Sequence, residues 1–147
     1  MRQFEIVSFY LNQGIKLPKR ATRASAGYDL ACAEDLTIPA GEIRLVPTGL
    51  KVVMPPSEAL FVFPRSSIGI KKGLIMSNGV GIVDADYHGN PDNEGHIMVP
   101  LYNLTKEAVT LTKGERIAQG VFMRYEKTSD DETDDITRLG GFGSSGA

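Results

Sequence analysis

Short runs of aliphatic, β-branched and aromatic residues recur along the chain, each closed by turn-forming residues. Residues 5–10, 45–47, 50–54, 59–63, 97–99 and 108–111 are such runs, and this chemistry suits the pleated, half-buried surface of a β-strand. Pro39-Ala40-Gly41, Pro55-Pro56 and Lys113-Gly114-Glu115 supply bends between them. Helical periodicity is nearly absent. One short helix is predicted, starting at Ser66 or Ser67, either of which is able to cap Ile68-Gly69-Ile70-Lys71-Lys72, with Gly73 as its stop. Evenly spaced short strands with a single helix predict an all-β, jelly-roll-like barrel or sandwich.

Within that pattern, residues 78–87 stand out. Asn78-Gly79 predicts a tight hairpin with positive backbone angles, and Gly81 removes a further side chain from the bend. Such a bend exposes backbone N–H and C=O groups to which a flat, polar-edged molecule such as a pyrimidine can bond. After the apolar pair Ile82-Val83 come Asp84, Asp86 and Tyr87. Strict alternation sends Asp84 and Asp86 to one face and Ala85 and Tyr87 to the other, unless a bulge re-aims one of them. The plainer reading is a hairpin whose acids face solvent.

At 147 residues the chain is long enough for one domain. Residues 1–128 read as the β domain. Residues 129–147 change character: 129–135 are polar and strongly acidic, a composition that cannot bury enough surface to fold alone, and the rest is glycine-rich. The plain reading of that end is a frayed terminus. The functional reading is a mobile arm in which Phe142 stacks on a base and Arg138 pairs with a phosphate. Sixteen basic against eighteen acidic side chains give a formal charge of −2, which argues against a non-specific nucleic-acid binder and leaves room for a small anionic ligand. The amino-terminal residues lack the apolar run of a signal peptide, so a cytoplasmic protein is expected. One cysteine, Cys32, and two histidines, His88 and His96, offer neither an internal disulfide nor a Cys/His metal cluster.

Other stretches carry comparable chemistry. Asp29 stands beside a turn in Ala26-Gly27-Tyr28-Asp29-Leu30. Arg65, Ser66 and Ser67 sit at the predicted helix start, where unpaired N–H groups favour an anion. Gln119 follows an apolar strand. Each has an ordinary alternative: Asp29 as a turn cap, Arg65 in a surface ion pair, Gln119 as an edge-strand polar residue.

Taken in order, AGYDL at 26–30, RSS-x-G at 65–69, NGVGIVDADY at 78–87, GERIAQ at 114–119 and GGFGSSG at 140–146 resemble the five motifs of the homotrimeric dUTP diphosphatases (dUTPases). The resemblance implies a jelly-roll subunit, a homotrimer with sites at subunit interfaces, and Mg2+-dependent cleavage of dUTP to dUMP and pyrophosphate. It further implies that backbone around Asn78 and Gly81 binds the uracil edge, that Tyr87 packs on the deoxyribose, and that Asp84 activates the attacking water. Arg65, Ser66, Ser67, Gly69 and Gln119 fall on its phosphate-binding motifs, and Asp29 on the position that helps place hydrated magnesium. In the arm, Arg138 would meet the terminal phosphate, Phe142 would cover the uracil, and Gly143, Ser144 and Ser145 belong to the segment that donates to phosphate oxygens. After Tyr87 the chain carries the longer run 88–95, read as an enlarged surface loop without a role.

Two alternatives stay open on the sequence. One is a dCTP deaminase of the same fold, although Asp84-Ala85-Asp86-Tyr87 and the glycine arm are more like the diphosphatase. The other is a non-catalytic nucleotide-binding protein, against which stands the retention of Asp84. Tyr87 also has a plain alternative, as a core residue of its strand.

Overall fold

In the computed structural model, residues 1–133 are described. Arg138, Phe142, Gly143, Ser144 and Ser145 of the expected arm lie outside the described residues.

Eleven strands and one α-helix are present among the described residues: β1 (Gln3–Ile6), β2 (Tyr28–Ala31), β3 (Leu36–Ile38), β4 (Ile43–Pro47), β5 (Leu50–Val53), β6 (Glu58–Pro64), α1 (Ser66–Lys72), β7 (Leu74–Met76), β8 (Gly81–Asp84), β9 (Met98–Asn103), β10 (Val109–Leu111) and β11 (Arg116–Arg124). All pairings between them are antiparallel. The largest sheet runs β2-β11-β6-β8 and faces a three-stranded sheet, β4-β9-β7, across the core, while β1-β5 and β10-β3 form two-stranded ribbons. Leu30, Val46, Leu60, Ile68, Leu74, Val99, Leu101, Leu111 and Ile117 fill the interior. The expected jelly-roll-like all-β fold with one short helix is borne out.

Three elements differ from the sequence expectation. The run at 5–10 is not one strand: β1 ends at Ile6 and Ser8–Tyr10 forms a 3-10 turn that buries Tyr10. Asn78-Gly79 is not a hairpin of the primed type. A type I′ turn needs positive φ at both central residues and a type II′ turn at the first, yet Asn78 lacks it and only Gly79 adopts it, at +73°, and the flanking β7 and β8 belong to different sheets. The turn therefore carries the chain from one sheet to the other.

The third difference is the run 88–95. The expected surface loop is present, with His88, Gly89, Pro91 and Asp92 exposed, but it is internally bonded, from Gly89 N–H to Glu94 O at 3.0 Å and from Glu94 N–H to Asn90 O at 2.7 Å. Asn90, Gly95 and the adjoining His96 are buried. Glu94 accepts from Lys51 and from the Ser8 hydroxyl, and His88 bonds Glu5, so the loop is strapped to β1, β5 and the first 3-10 turn.

Candidate active site

β6 delivers Arg65 to one end of the large sheet. Its N–H donates to Ile117 O at 3.1 Å, which ties it to the start of β11. Arg65 itself, with extended φ and ψ, is the N-cap of α1; neither serine is, because both lie inside the first turn. The expected helix is present, and its stop is as expected: Gly73 adopts the left-handed conformation at φ +66°. Ser66 and Gly69 are exposed, Arg65 and Ser67 half-buried.

Gln119 pairs across β11 with Phe63 on one side and with Asp29 on the other, so Asp29 and Gln119 share a sheet face next to Arg65. Gly27 is the neighbour that shapes this corner, since a Cβ on it would lie 2.5 Å from Oε1 of Gln119. Asp29 Oδ2 pairs with Arg116 Nη1 at 3.4 Å. Both line a cavity of about 540 Å3 rimmed also by Lys16, Lys19 and Lys113. These four cations around one carboxylate make the corner receptive to anions, a property that becomes visible only once the 14–19 segment is folded against β2. Cys32 lines the same cavity, but burial pushes its thiol pKa up and its Sγ–H donates to Glu34 O, so it is no nucleophile at neutral pH.

Among the described residues no cluster of three or more His, Cys, Asp or Glu side chains is arranged to hold a metal by itself. Among those residues Asp29 is the one carboxylate lining the cation-rimmed cavity, and because Mg2+ keeps most of its waters and is held through one or two carboxylates plus substrate phosphates, Asp29 fits it only together with phosphates that offset the surrounding cations.

The other group of residues sits on β8. Gly81 pairs with Val62, and a Cβ there would come within 3.2 Å of Val62 Cβ and 3.6 Å of Asn78 Nδ2. The turn before it is less bare than expected: Ser77 N–H bonds Pro100 O, Gly79 N–H bonds Met76 O and Val80 N–H bonds Asn78 O. A tight turn uses its own donors to close. β8 ends at Asp84, and Ala85–Tyr87 forms a 3-10 turn in place of continued strand. Alternation in burial survives the change, with Asp84 and Asp86 exposed and Tyr87 only 8% exposed. The Tyr87 hydroxyl donates to His96 O at 2.7 Å and accepts from Asn93 Nδ2 at 2.9 Å. Those two partners were not foreseen, because nothing in the local sequence relates residue 87 to 93 or 96.

The two groups share one sheet face and stay apart on it. Asp84 pairs with Ala59, whereas Gln119 pairs with Phe63, four positions along the same strand. At ~3.3 Å per residue and ~4.8 Å per inter-strand step, the Cα atoms of Asp84 and Gln119 are ~16 Å apart. Between them the face is apolar, with Phe61, Val121 and Ile82, the last 60% exposed.

In this β fold the cation-rimmed corner is suited to an anionic ligand, and an acidic turn follows another strand of the same sheet. The dUTPase family model matches residues 13–146. The deoxyuridine 5'-triphosphate nucleotidohydrolase of Lactococcus lactis subsp. lactis (strain IL1403) is 50% identical over 148 residues, which cover 100% of this chain and 99% of that relative. The crystal structure of dUTPase from Streptococcus mutans has a TM-score of 0.83 and 48% identity, covering 86% of this chain and 98% of that one. A mutant dUTPase from phage phi11 of S. aureus, whose structure concerns the coordination of a structural Mg(II) ion, shares the fold at TM-score 0.73 and 17% identity, covering 92% of this chain and 98% of its own. The chain belongs to the dUTPase family.

Proposed function

We propose that this chain cleaves dUTP to dUMP and pyrophosphate, using Asp84 to activate the attacking water, at sites shared between copies of the chain in a homotrimer. As a member of the dUTPase family it is a nucleotidohydrolase acting on dUTP. The observation that carries the shared site is the separation of Asp84 from Arg65 and Gln119. A base must lie ~2.6–3.2 Å from the water it deprotonates, and that water must reach phosphorus held by the phosphate-binding residues. A separation of ~16 Å between Cα atoms across one sheet favours drawing the two ends of the site from different copies of the chain. The apolar stretch of sheet between them, led by exposed Ile82, supports burial against another copy.

In this arrangement Arg65, Ser66, Ser67, Gly69 and Gln119 receive the phosphates beside Asp29, and the Lys16, Lys19 and Arg116 rim draws the anion in. Asp29 holds hydrated Mg2+, which when bound neutralises charge on the phosphate oxygens. The backbone of Asn78 and Gly81 meets the uracil edge, and Tyr87 lies against the deoxyribose. Asp84, exposed at the end of β8, takes the proton of the water that attacks in line. Residues 129–147 close over the nucleotide as an arm, with Arg138, Phe142, Gly143, Ser144 and Ser145 supplying its contacts, and exclude bulk water.

Pyrophosphate release measured across dUTP, dTTP, dCTP, dATP and dGTP, with product chromatography, tests the reading. Release from dUTP with dUMP as co-product is expected. Formation of dUTP from dCTP, or release from every nucleotide alike, contradicts it.

A further inference from the structure

Tyr87 is held by a loop that folds back onto it. Asn90 N–H donates to Tyr87 O at 3.2 Å, and His96 N–H donates to Asn93 O at 3.1 Å. Asn93 uses both ends of its amide: Oδ1 accepts the Gly95 N–H at 3.0 Å, and Nδ2 donates to the Tyr87 hydroxyl. The return requires two successive left-handed residues, Glu94 at φ +64° and Gly95 at φ +89°. Only glycine fits at 95, since a Cβ there would lie 2.6 Å from Tyr87 O and 2.9 Å from His88 Cα, both backbone atoms.

The rest of the loop is anchored away from Tyr87. Glu94 accepts from Lys51 Nζ at 3.0 Å and from Ser8 Oγ at 2.8 Å. His96 Nε2 accepts the Gly49 N–H at 2.8 Å, and its ring packs 5.4 Å from that of Tyr10. The tyrosine hydroxyl is thus held between Asn93 Nδ2 and His96 O, in a loop that Glu94 ties to Lys51 and Ser8 and His96 ties to Gly49. Simple packing would bury the ring without directing both hydrogen-bonding directions of its hydroxyl.

We infer that residues 88–96 form a clamp setting the plane of the Tyr87 ring, and that Asn93 is a positioning residue for discrimination between deoxyribose and ribose nucleotides. The inference rests on the reading that Tyr87 lies against the sugar. A ring that excludes a 2′-hydroxyl by its position works only while that position is fixed, because a ring free to tilt admits the larger sugar. Asn93 acts through Tyr87 and touches no substrate atom itself.

The test uses the full chain and compares kcat/KM for dUTP and UTP, together with Tm, in Asn93→Ala, Tyr87→Phe, Tyr87→Ala and the Asn93→Ala/Tyr87→Phe double variant. Asn93→Ala is expected to narrow the dUTP-to-UTP ratio by roughly five-fold, the scale of one hydrogen bond, chiefly through a lower KM for UTP, with kcat for dUTP little changed. Tyr87→Phe removes both hydroxyl bonds and narrows the ratio by at least as much; Asn93→Ala added to it brings little further change. Should Asn93→Ala fail to fold, Tyr87→Phe decides, and wild-type discrimination in it overturns the clamp. Wild-type discrimination in Asn93→Ala, with Tyr87→Ala relaxed, also overturns the clamp and leaves the sugar contact standing. Wild-type discrimination in a folded Tyr87→Ala removes the sugar contact itself, and the clamp with it.

Discussion

Gly27 lies so close to Gln119 that a Cβ on it would meet Oε1 at 2.5 Å and Cβ of the glutamine at 3.0 Å. The absence of a side chain at 27 therefore leaves the space that the Gln119 amide occupies, on the face it shares with Asp29. Gly27→Ala is expected to lower kcat/KM for dUTP by about 10- to 100-fold, the range for misplacing a positioning group by about 1 Å. Far-UV circular dichroism and Tm should stay close to wild type. Unchanged kinetics in the folded variant would show that Gln119 has no part in holding phosphates.

Asp84→Asn keeps the shape of the side chain and removes its ability to take a proton. Turnover should fall at least ~100-fold while dUTP binding persists, which calorimetry and single-turnover kinetics measure separately. Turnover within a few-fold of wild type would remove Asp84 from the role of base.

Shortening the chain after Thr128 should leave the β domain folded, because β11 ends at Arg124 and the core is built from residues before it. Hydrolysis of dUTP should collapse, since the closing segment is gone. Sedimentation and a pyrophosphate assay read the two halves, and a fully active shortened chain would contradict the arm.

The strands were legible where β-branched and aromatic residues are dense: β4, β5, β6 and β10 fall within a few residues of their expected positions. The α1 stop at Gly73 was legible as well, since a glycine after two lysines is a local signal. What failed depends on distance in sequence. Asn78-Gly79 carries the local chemistry of a hairpin, but β7 finds β9 and β8 finds β6, and those pairings override it. Asn93 and His96 reach Tyr87 only through a chain reversal at Glu94 and Gly95 that no hydrophobic period marks. The separation of Asp84 from Gln119 is a matter of strand register, which motif order along the chain does not contain.

His96 makes stability depend on pH. Burial holds its imidazole below the ordinary pKa of 6.5, while Glu94 and Glu34 partly oppose the shift. The unfolded chain takes up a proton as pH falls below 6.5 and the folded chain does not, so this contribution is complete above 6.5 and is lost progressively below it, down to the depressed folded value. Glu58, held down chiefly by its bonds to Arg2, and Glu94, held down chiefly by Lys51, lose their contributions only as pH falls below 4.5. Tm measured against pH should therefore decline in two windows. His96→Gln should lose the upper one, which opens as pH falls below 6.5; an unchanged upper slope would mean that another group titrates there.

The most direct test of a shared site is complementation. Asp84→Asn and Arg65→Ala chains, each inactive alone, are unfolded, mixed in equal amounts and refolded together. If each site takes Asp84 from one copy and Arg65 from another, random mixing in a cyclic trimer leaves about a quarter of the sites intact, and dUTP hydrolysis should return to about that fraction of wild type. Activity that stays at the level of the separate variants, in mixtures shown by native mass spectrometry to contain both chains in one assembly, would contradict a site built between copies.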